Sequence, residues 1–427
     1  MKIVNIVPGF GGTFYCGNCL RDSGFVSALR KAGHDAMILP VYLPLTINGD
    51  MQGSPVFYGA VNIYLKQVFP VLRHMPGWME HMLNSAPVLK LAAGKAGSTR
   101  VHGLEELTES MLMGKEGRQG RELDELVHFL KHHEKPDVVH FSNALLLGMA
   151  HQIREEVGVP VVCSLQDEDV WVDAMNEPYP GKIWDLLAGK AGDVDAFIAV
   201  SHYFAGVMKK KMQLPDGKMH VVHIGVNPEQ YEFHPSPPDP PAIGYLSRIC
   251  EENGFGILVD AFILLKSRPG FENLRLHVTG GMTGDDKPFF QQQMKKLRKA
   301  GFNQDFGVFE DFRPENLGNF FKTVTLLSVP VLKGEAFGMY QLEALASGVP
   351  LVQPALGAFP EVIRETGAGL LYEPNTPEAL SECLAPLLND KARLTGFSAN
   401  GRKAVEEKFD CSSLTMKMIG VYKELRI

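Results

Sequence analysis

The stretch from Gly334 to Gly348, GEAFGMYQLEALASG, decides how the rest of the chain is read. It follows Val324 to Val329, a short apolar run of strand type, and Gly334 and Gly338 punctuate a turn within it. Met339 to Ser347 has helix composition, and Gly348 with Pro350 then stops the helix. The order predicts a strand, a Gly-rich loop and a short helix, with Glu335 in the loop and Glu343 about a turn into the helix, facing back towards it. The first amides of a helix have no partner inside it, so the N–H groups around Phe337, Gly338 and Met339 form an anion site. This suits a sugar attached to a diphosphate. Backbone donors would hold the phosphates, one carboxylate would bind sugar hydroxyls near the reacting carbon, and the other would bind a ribose diol. Two acids taken alone are ordinary surface charges, and it is their place in this ordered stretch that gives them weight.

Around this centre the chain reads as α/β. Lys2 to Val7 and Asp35 to Val41 are strand candidates on either side of a helix that carries Leu20, Phe25, Ala28 and Leu29, so the chain opens as a βαβ unit. Strands are also expected at 137–141, 159–165, 195–200 and 219–224, and helices at about 145–156 and 203–212. Two of these strands end in polar clusters, Ser142-Asn143 and Gln166-Asp167-Glu168-Asp169, where ligands bind in open α/β sheets. From about Thr46 to Arg121 the rhythm is interrupted by an insertion of short apolar helices. Its Lys66 to Lys95 part reads as core packing or as an apolar acceptor or membrane-interface surface. The proline-rich segment 234–241 can be neither helix nor central strand and marks a linker. Beyond it come strands at 242–247, 274–279 and 350–354, with helices at 255–266, 360–365, 377–388, 391–407 and 412–425. The domains are therefore 1–233, the linker, 242–408, and a C-terminal helix from 409 to 427.

At 427 residues the chain is too long for one core. A net charge of -7 argues against a nucleic-acid partner. No signal peptide and no long apolar run are evident, which points to a cytoplasmic protein and leaves open a peripheral contact with the inner face of a membrane. The six cysteines are mostly dispersed; Cys16-Gly-Asn-Cys19 has the spacing of a metal or redox pair, against the simpler reading of two packed thiols. A dinucleotide site is disfavoured, because Phe14 stands where the third fingerprint glycine belongs and the second strand ends without an acid.

The central stretch resembles the E-x7-E motif of glycosyltransferase family 4, whose members have the GT-B fold: two Rossmann-like domains facing across a cleft, with a C-terminal helix crossing back to the first. Nearly the whole chain shares the resemblance, including the segment His223-Ile-Gly-Val-Asn227. It implies a retaining glycosyltransferase, metal-independent and without cofactor, that uses a nucleotide-diphosphate sugar. Gly11 and Gly12 would approach the donor sugar and phosphates, and Gly280-Gly281 the nucleotide base. Arg248 would stabilise the leaving diphosphate, Glu335 would position the sugar, and Glu343 would hold the ribose. The acceptor, a hydroxyl on a glycan, glycolipid or small molecule, would lie on the side of Ser142, Asn143, Gln166 and Asp167.

The chain departs from the family pattern in three places. Asn253 replaces an expected lysine, for which Lys333 is a candidate substitute, and Ser142 and Gln166 stand where histidines are frequent. Asp167-Glu168-Asp169 spells a DxD, but it falls outside the expected pyrophosphate site, so no metal is expected there. A phosphorylase or hydrolase on the same fold and a non-catalytic nucleotide-sugar-binding protein are the alternatives.

Overall fold

The structure is a computed structural model in which residues 1–9, 14–42, 46–47, 50–51 and 103–425 are described. Gly11, Gly12 and the apolar stretch from Lys66 to Lys95 lie outside the described residues. The chain divides into two compact units. The first comprises Met1–Gly12, Asp22–Val222 and Thr415–Ile427; the second comprises Thr13–Arg21 and His223–Leu414.

In chain order the strands are β1 (Lys2–Val7), β2 (Asp35–Pro40), β3 (Thr46–Ile47), β4 (Asp50–Met51), β5 (Val138–Phe141), β6 (Val161–Leu165), β7 (Ala196–Ala199) and β8 (Met219–Val221). Then follow β9 (Ala242–Leu246), β10 (Arg275–Thr279), β11 (Phe306–Phe309), β12 (Leu326–Leu327), β13 (Leu351–Pro354) and β14 (Gly369–Tyr372).

The first unit is built on a six-stranded sheet of order β2-β1-β5-β6-β7-β8, in which every pairing is parallel. β5, β6 and β7 are buried along their whole length, as apolar strands covered on both faces must be. β3 and β4 make a separate antiparallel pair. Residues 415–427 belong to this unit, and the helix Cys411–Glu424 reaches its sheet through Tyr422, whose hydroxyl pairs with Nδ1 of buried His140. The other ring nitrogen of His140 lies 2.8 Å from the Ser164 hydroxyl. The helix expected over 145–156 is broken into a 3-10 segment (Ala144–Met149), one α turn (Ala150–Gln152) and a π turn (Ile153–Val157). Its backbone is pressed against a neighbour: a Cβ on Gly148 would sit 1.9 Å from the Met111 carbonyl oxygen.

The second unit repeats the plan with order β11-β10-β9-β12-β13-β14, again parallel throughout. β12 is shorter than the expected 324–329 run, although Thr325 and Ser328 still donate to the carbonyls of Ala242 and Gly244 on the neighbouring strand. The helices Phe255–Lys266 and Pro377–Leu388 fall on the expected residues. A helix at Lys287–Ala300 and the strands β11 and β14 were not evident from the sequence. Among the described residues no helix is long and apolar enough to cross a membrane.

Candidate active site

In the second unit the helix Met339–Ala346 begins after Gly338, which has φ 84°. That backbone conformation favours glycine, and the space does too, because a Cβ there would lie 3.1 Å from a Glu335 carboxylate oxygen. The Tyr340 hydroxyl donates to the Glu335 carboxylate from the first turn of the helix. Behind the loop, Gly357 (φ 58°) brings its backbone against Glu335, where a Cβ would meet the Glu335 nitrogen at 2.4 Å. The Ala358 amide then donates to the Glu335 carbonyl at 2.9 Å. Glu335 is thus fixed by its main chain and by one tyrosine. Replacing Gly357 with alanine is expected to dislodge the Glu335 loop and lower turnover by about 100-fold, a loss that a kcat measurement on the folded variant would show.

Glu343 is 0% exposed. Its two carboxylate oxygens accept from the hydroxyls of Tyr15 (2.6 Å) and Tyr231 (2.9 Å). Burial raises its pKa to about 7, against the opposing pull of those two donated bonds. Burial, and next the charge on Glu343, holds both tyrosines well above their ordinary value, so each keeps the proton it donates. The carbonyls of Tyr231 and Ala346 accept from one nitrogen of Arg402, which ties the turn carrying Tyr231 to the end of the Glu343 helix.

Tyr15 reaches Glu343 as part of a short run that lies on this unit. The Tyr15 amide donates to the Gly280 carbonyl at 2.7 Å, and Phe14 forms an antiparallel bridge with Gly281. The Phe14 ring lies 5.9 Å from the Arg248 guanidinium, and the Ile249 amide donates to the Gly281 carbonyl. Gly17 packs with its Cβ position 3.4 Å from that of Met339. Arg248, Gly280, Gly281, Met339 and Glu343 are therefore all in reach of one segment, and Glu335, Phe337 and Gly338 adjoin it through the helix start.

Arg248 faces Asp286 at 3.7 Å and Glu252 at 3.4 Å. Asp286 is itself engaged by Thr283, whose amide and hydroxyl donate to it at 2.8 and 2.7 Å. Asn253 donates to the Ser247 hydroxyl at 2.8 Å and to the Arg248 carbonyl at 3.2 Å, so it shapes the Arg248 loop. Lys333 is exposed.

The first unit gathers Ser142, Asn143, Gln166 and Asp167 at the ends of β5 and β6. Gln166 donates to the Ser142 carbonyl at 2.8 Å, Asn143 caps the segment after it, and Asp167 has the left-handed φ of 59°. Beneath them the buried carboxylate of Glu168, which sequence reasoning did not single out, accepts from the amides of Ala144 (2.8 Å) and Gln166 (2.7 Å). Burial pushes its pKa up to about 8, against the opposing effect of the Ala144 amide. Glu168→Ala would orphan both amides and is expected to cost about 2–4 kcal/mol near pH 4, read as a lower urea midpoint for this unit, and less at pH 8, where removal of the raised carboxyl offsets the loss.

Tyr15, Tyr231 and Gly357 hold the candidate site residues without having been singled out in the sequence, whereas Tyr340 stood within the central stretch and Glu168 within a polar cluster.

Two parallel six-stranded sheets with flanking helices define the α/β fold of GT-B type. Sucrose-phosphate synthase from Thermosynechococcus elongatus has this fold, with a TM-score of 0.73 and 16% identity over 100% of this chain and 99% of that one. HepE from Anabaena, solved in complex with UDP, gives a TM-score of 0.68 and 14% identity, with both chains covered completely. The family model for glycosyl transferases group 1 matches residues 226–404, and that for glycosyltransferase family 4 matches residues 101–230. Between them the two models span residues 101–404, and along both parts the chain is similar to glycosyltransferases. Among curated relatives, the lipopolysaccharide core biosynthesis mannosyltransferase LpsB of Rhizobium meliloti is 26% identical over 56% of this chain and 66% of its own length. The D-inositol 3-phosphate glycosyltransferase 1 of Catenulispora acidiphila is 26% identical over 67% of this chain and 72% of its own.

Proposed function

We propose that the protein is a retaining glycosyltransferase that moves a sugar from a nucleotide-diphosphate donor to an acceptor hydroxyl. The observation that carries the reading is the arrangement of Glu335, the start of the helix Met339–Ala346, Glu343 and Arg248 around a single segment of the second unit. Departure of a diphosphate develops negative charge, and fixed charge and amides aimed at it lower the barrier. Arg248 and the N–H groups at Phe337, Gly338 and Met339 supply these. Glu335 holds the sugar by its hydroxyls, and Glu343 takes the ribose diol when Tyr15 gives way. The leaving phosphate accepts the proton of the attacking hydroxyl, so the reading requires no side-chain base, no metal and no cofactor.

UDP, bound by HepE, makes UDP-sugars the first donors to test. Named relatives that act on a lipopolysaccharide core or on an inositol phosphate suggest a glycan or polyol acceptor. Six cysteines outside any disulfide fit the cytoplasm. Incubation with an anomerically pure labelled donor, followed by NMR of the product, tests the proposal. A new glycoside with the donor's configuration supports it, whereas free sugar or sugar phosphate alone would assign a hydrolase or phosphorylase.

Asn253 leaves the diphosphate one cation short, and we assign that charge in part to Lys333, two residues before Glu335. Lys333→Met is then expected to reduce donor turnover about tenfold, equivalent to ~1.4 kcal/mol. Unchanged turnover would remove Lys333 from the site.

A further inference from the structure

The motif that this function leaves unused is Cys16-Gly-Asn-Cys19. Neither residue is in a disulfide and both are half-buried, and Cys16 Sγ donates to Cys19 Sγ across 2.8 Å. A disulfide bond needs ~2.05 Å, so closure requires a movement of under about 1 Å. The helix Gly17–Lys31 starts between the two residues, leaving one sulfur just ahead of the first turn and the other within it.

The position of the pair is as informative as its spacing. Tyr15, the residue before Cys16, is held at two points: its amide on Gly280 and its hydroxyl on Glu343. Gly17, the residue after it, packs on Met339, the first residue of the Glu343 helix. Cys16 is thus flanked on both sides by contacts to the elements of the donor site. A bond from Cys16 to Cys19 must also adopt a Cβ–S–S–Cβ dihedral near ~90°, which fixes Cys16 against the first helical turn and shifts the main chain that carries Tyr15.

We infer that Cys16 and Cys19 form a reversible dithiol–disulfide couple whose state alters the hold of Tyr15 on Glu343 and with it the affinity for the nucleotide. The couple stands on the sulfur geometry alone; its effect on affinity rests on the donor-site reading above. With a low-molecular-weight disulfide as oxidant, one cysteine thiolate attacks a reagent sulfur, breaking the reagent's S–S bond and expelling one thiolate. The second cysteine thiolate then attacks the protein sulfur of the mixed disulfide, forming the Cys16–Cys19 bond and expelling the other. Two electrons pass from protein to reagent, and the two thiol protons end on the two reagent thiolates. Disulfides of this kind in a reducing compartment are transient and sensing rather than structural.

The test uses the full chain equilibrated in mixtures of reduced and oxidised glutathione, quenched with an alkylating agent and digested. The peptide holding both cysteines is expected to escape alkylation under oxidising conditions, to be lighter than the dithiol by two hydrogens, and to recover both thiols with dithiothreitol. Calorimetric titration of UDP into the two forms is expected to differ by about fivefold, the low end of coupling between sites, with no difference in Cys19→Ser. Alkylation of both thiols in every mixture, or arrest at a glutathione adduct, would overturn the couple. A clean disulfide with equal UDP affinity would overturn its link to the site. Absence of UDP binding in both forms would overturn that link together with the donor reading, while the alkylation result still decides the couple.

Discussion

Glu343→Gln is expected to abolish measurable donor turnover while making the second unit harder to unfold at pH 8. The carboxyl titrates at about 7 in the folded chain against an ordinary 4.5, with burial as the main cause. Between those values the folded state holds a proton that the unfolded state has released. Stability therefore falls as pH rises through this window and stays reduced above it. The shift corresponds to an upper bound of about 3 kcal/mol. An amide carries no charge to desolvate, but it leaves one of the two tyrosine hydroxyls to find a new acceptor, which takes back about 1 kcal/mol. A net gain of about 2 kcal/mol should raise the midpoint by several degrees at pH 8 and turn into a loss of about 1 kcal/mol near pH 4. A site that gains stability when its charge is removed is one where the charge is kept for function. Equal stability of the two proteins at pH 8 would show that Glu343 is not held as a desolvated carboxylate.

Arg248→Met should lower kcat by about 100- to 1000-fold, the effect of losing one group aimed at developing negative charge. Little structural loss is expected. Asp286, 3.7 Å from the guanidinium, keeps both of its bonds from Thr283, and Asn253 keeps its bond to the Arg248 carbonyl, which the substitution leaves in place. Arg248→Lys should recover part of the rate but not all, since an ammonium lacks the planar fork that grips two phosphate oxygens. A melting point near that of the parent protein, together with the rate loss, would separate charge stabilisation from folding. A methionine variant with unchanged kcat would take Arg248 out of the chemistry.

Much of the fold was legible because parallel strands buried on both faces are written as apolar runs, and the helices between them end on glycine and proline. The helix expected over 145–156 falls on helical residues, but its passage from 3-10 to α to π was not legible, nor was the approach of Met111 to Gly148, which is a contact between distant segments. The same limit applied at the site. Glu335 and Glu343 share one short stretch and could be read together. The tyrosines that hold Glu343 come from 328 and 112 residues away in sequence, and no local period announces them. Asn253 shows the reverse case. It was conspicuous as a missing charge, and the structure gives it work of its own in the loop that presents Arg248.

The most direct test of the donor site is a melting-point screen of the full chain and Glu343→Ala against UDP-, GDP- and ADP-sugars. A ligand at 100 times its Kd stabilises the native state by about 2.7 kcal/mol. A rise is expected with one nucleotide class and should disappear in the variant. An equal rise in both proteins would place the nucleotide elsewhere and contradict it.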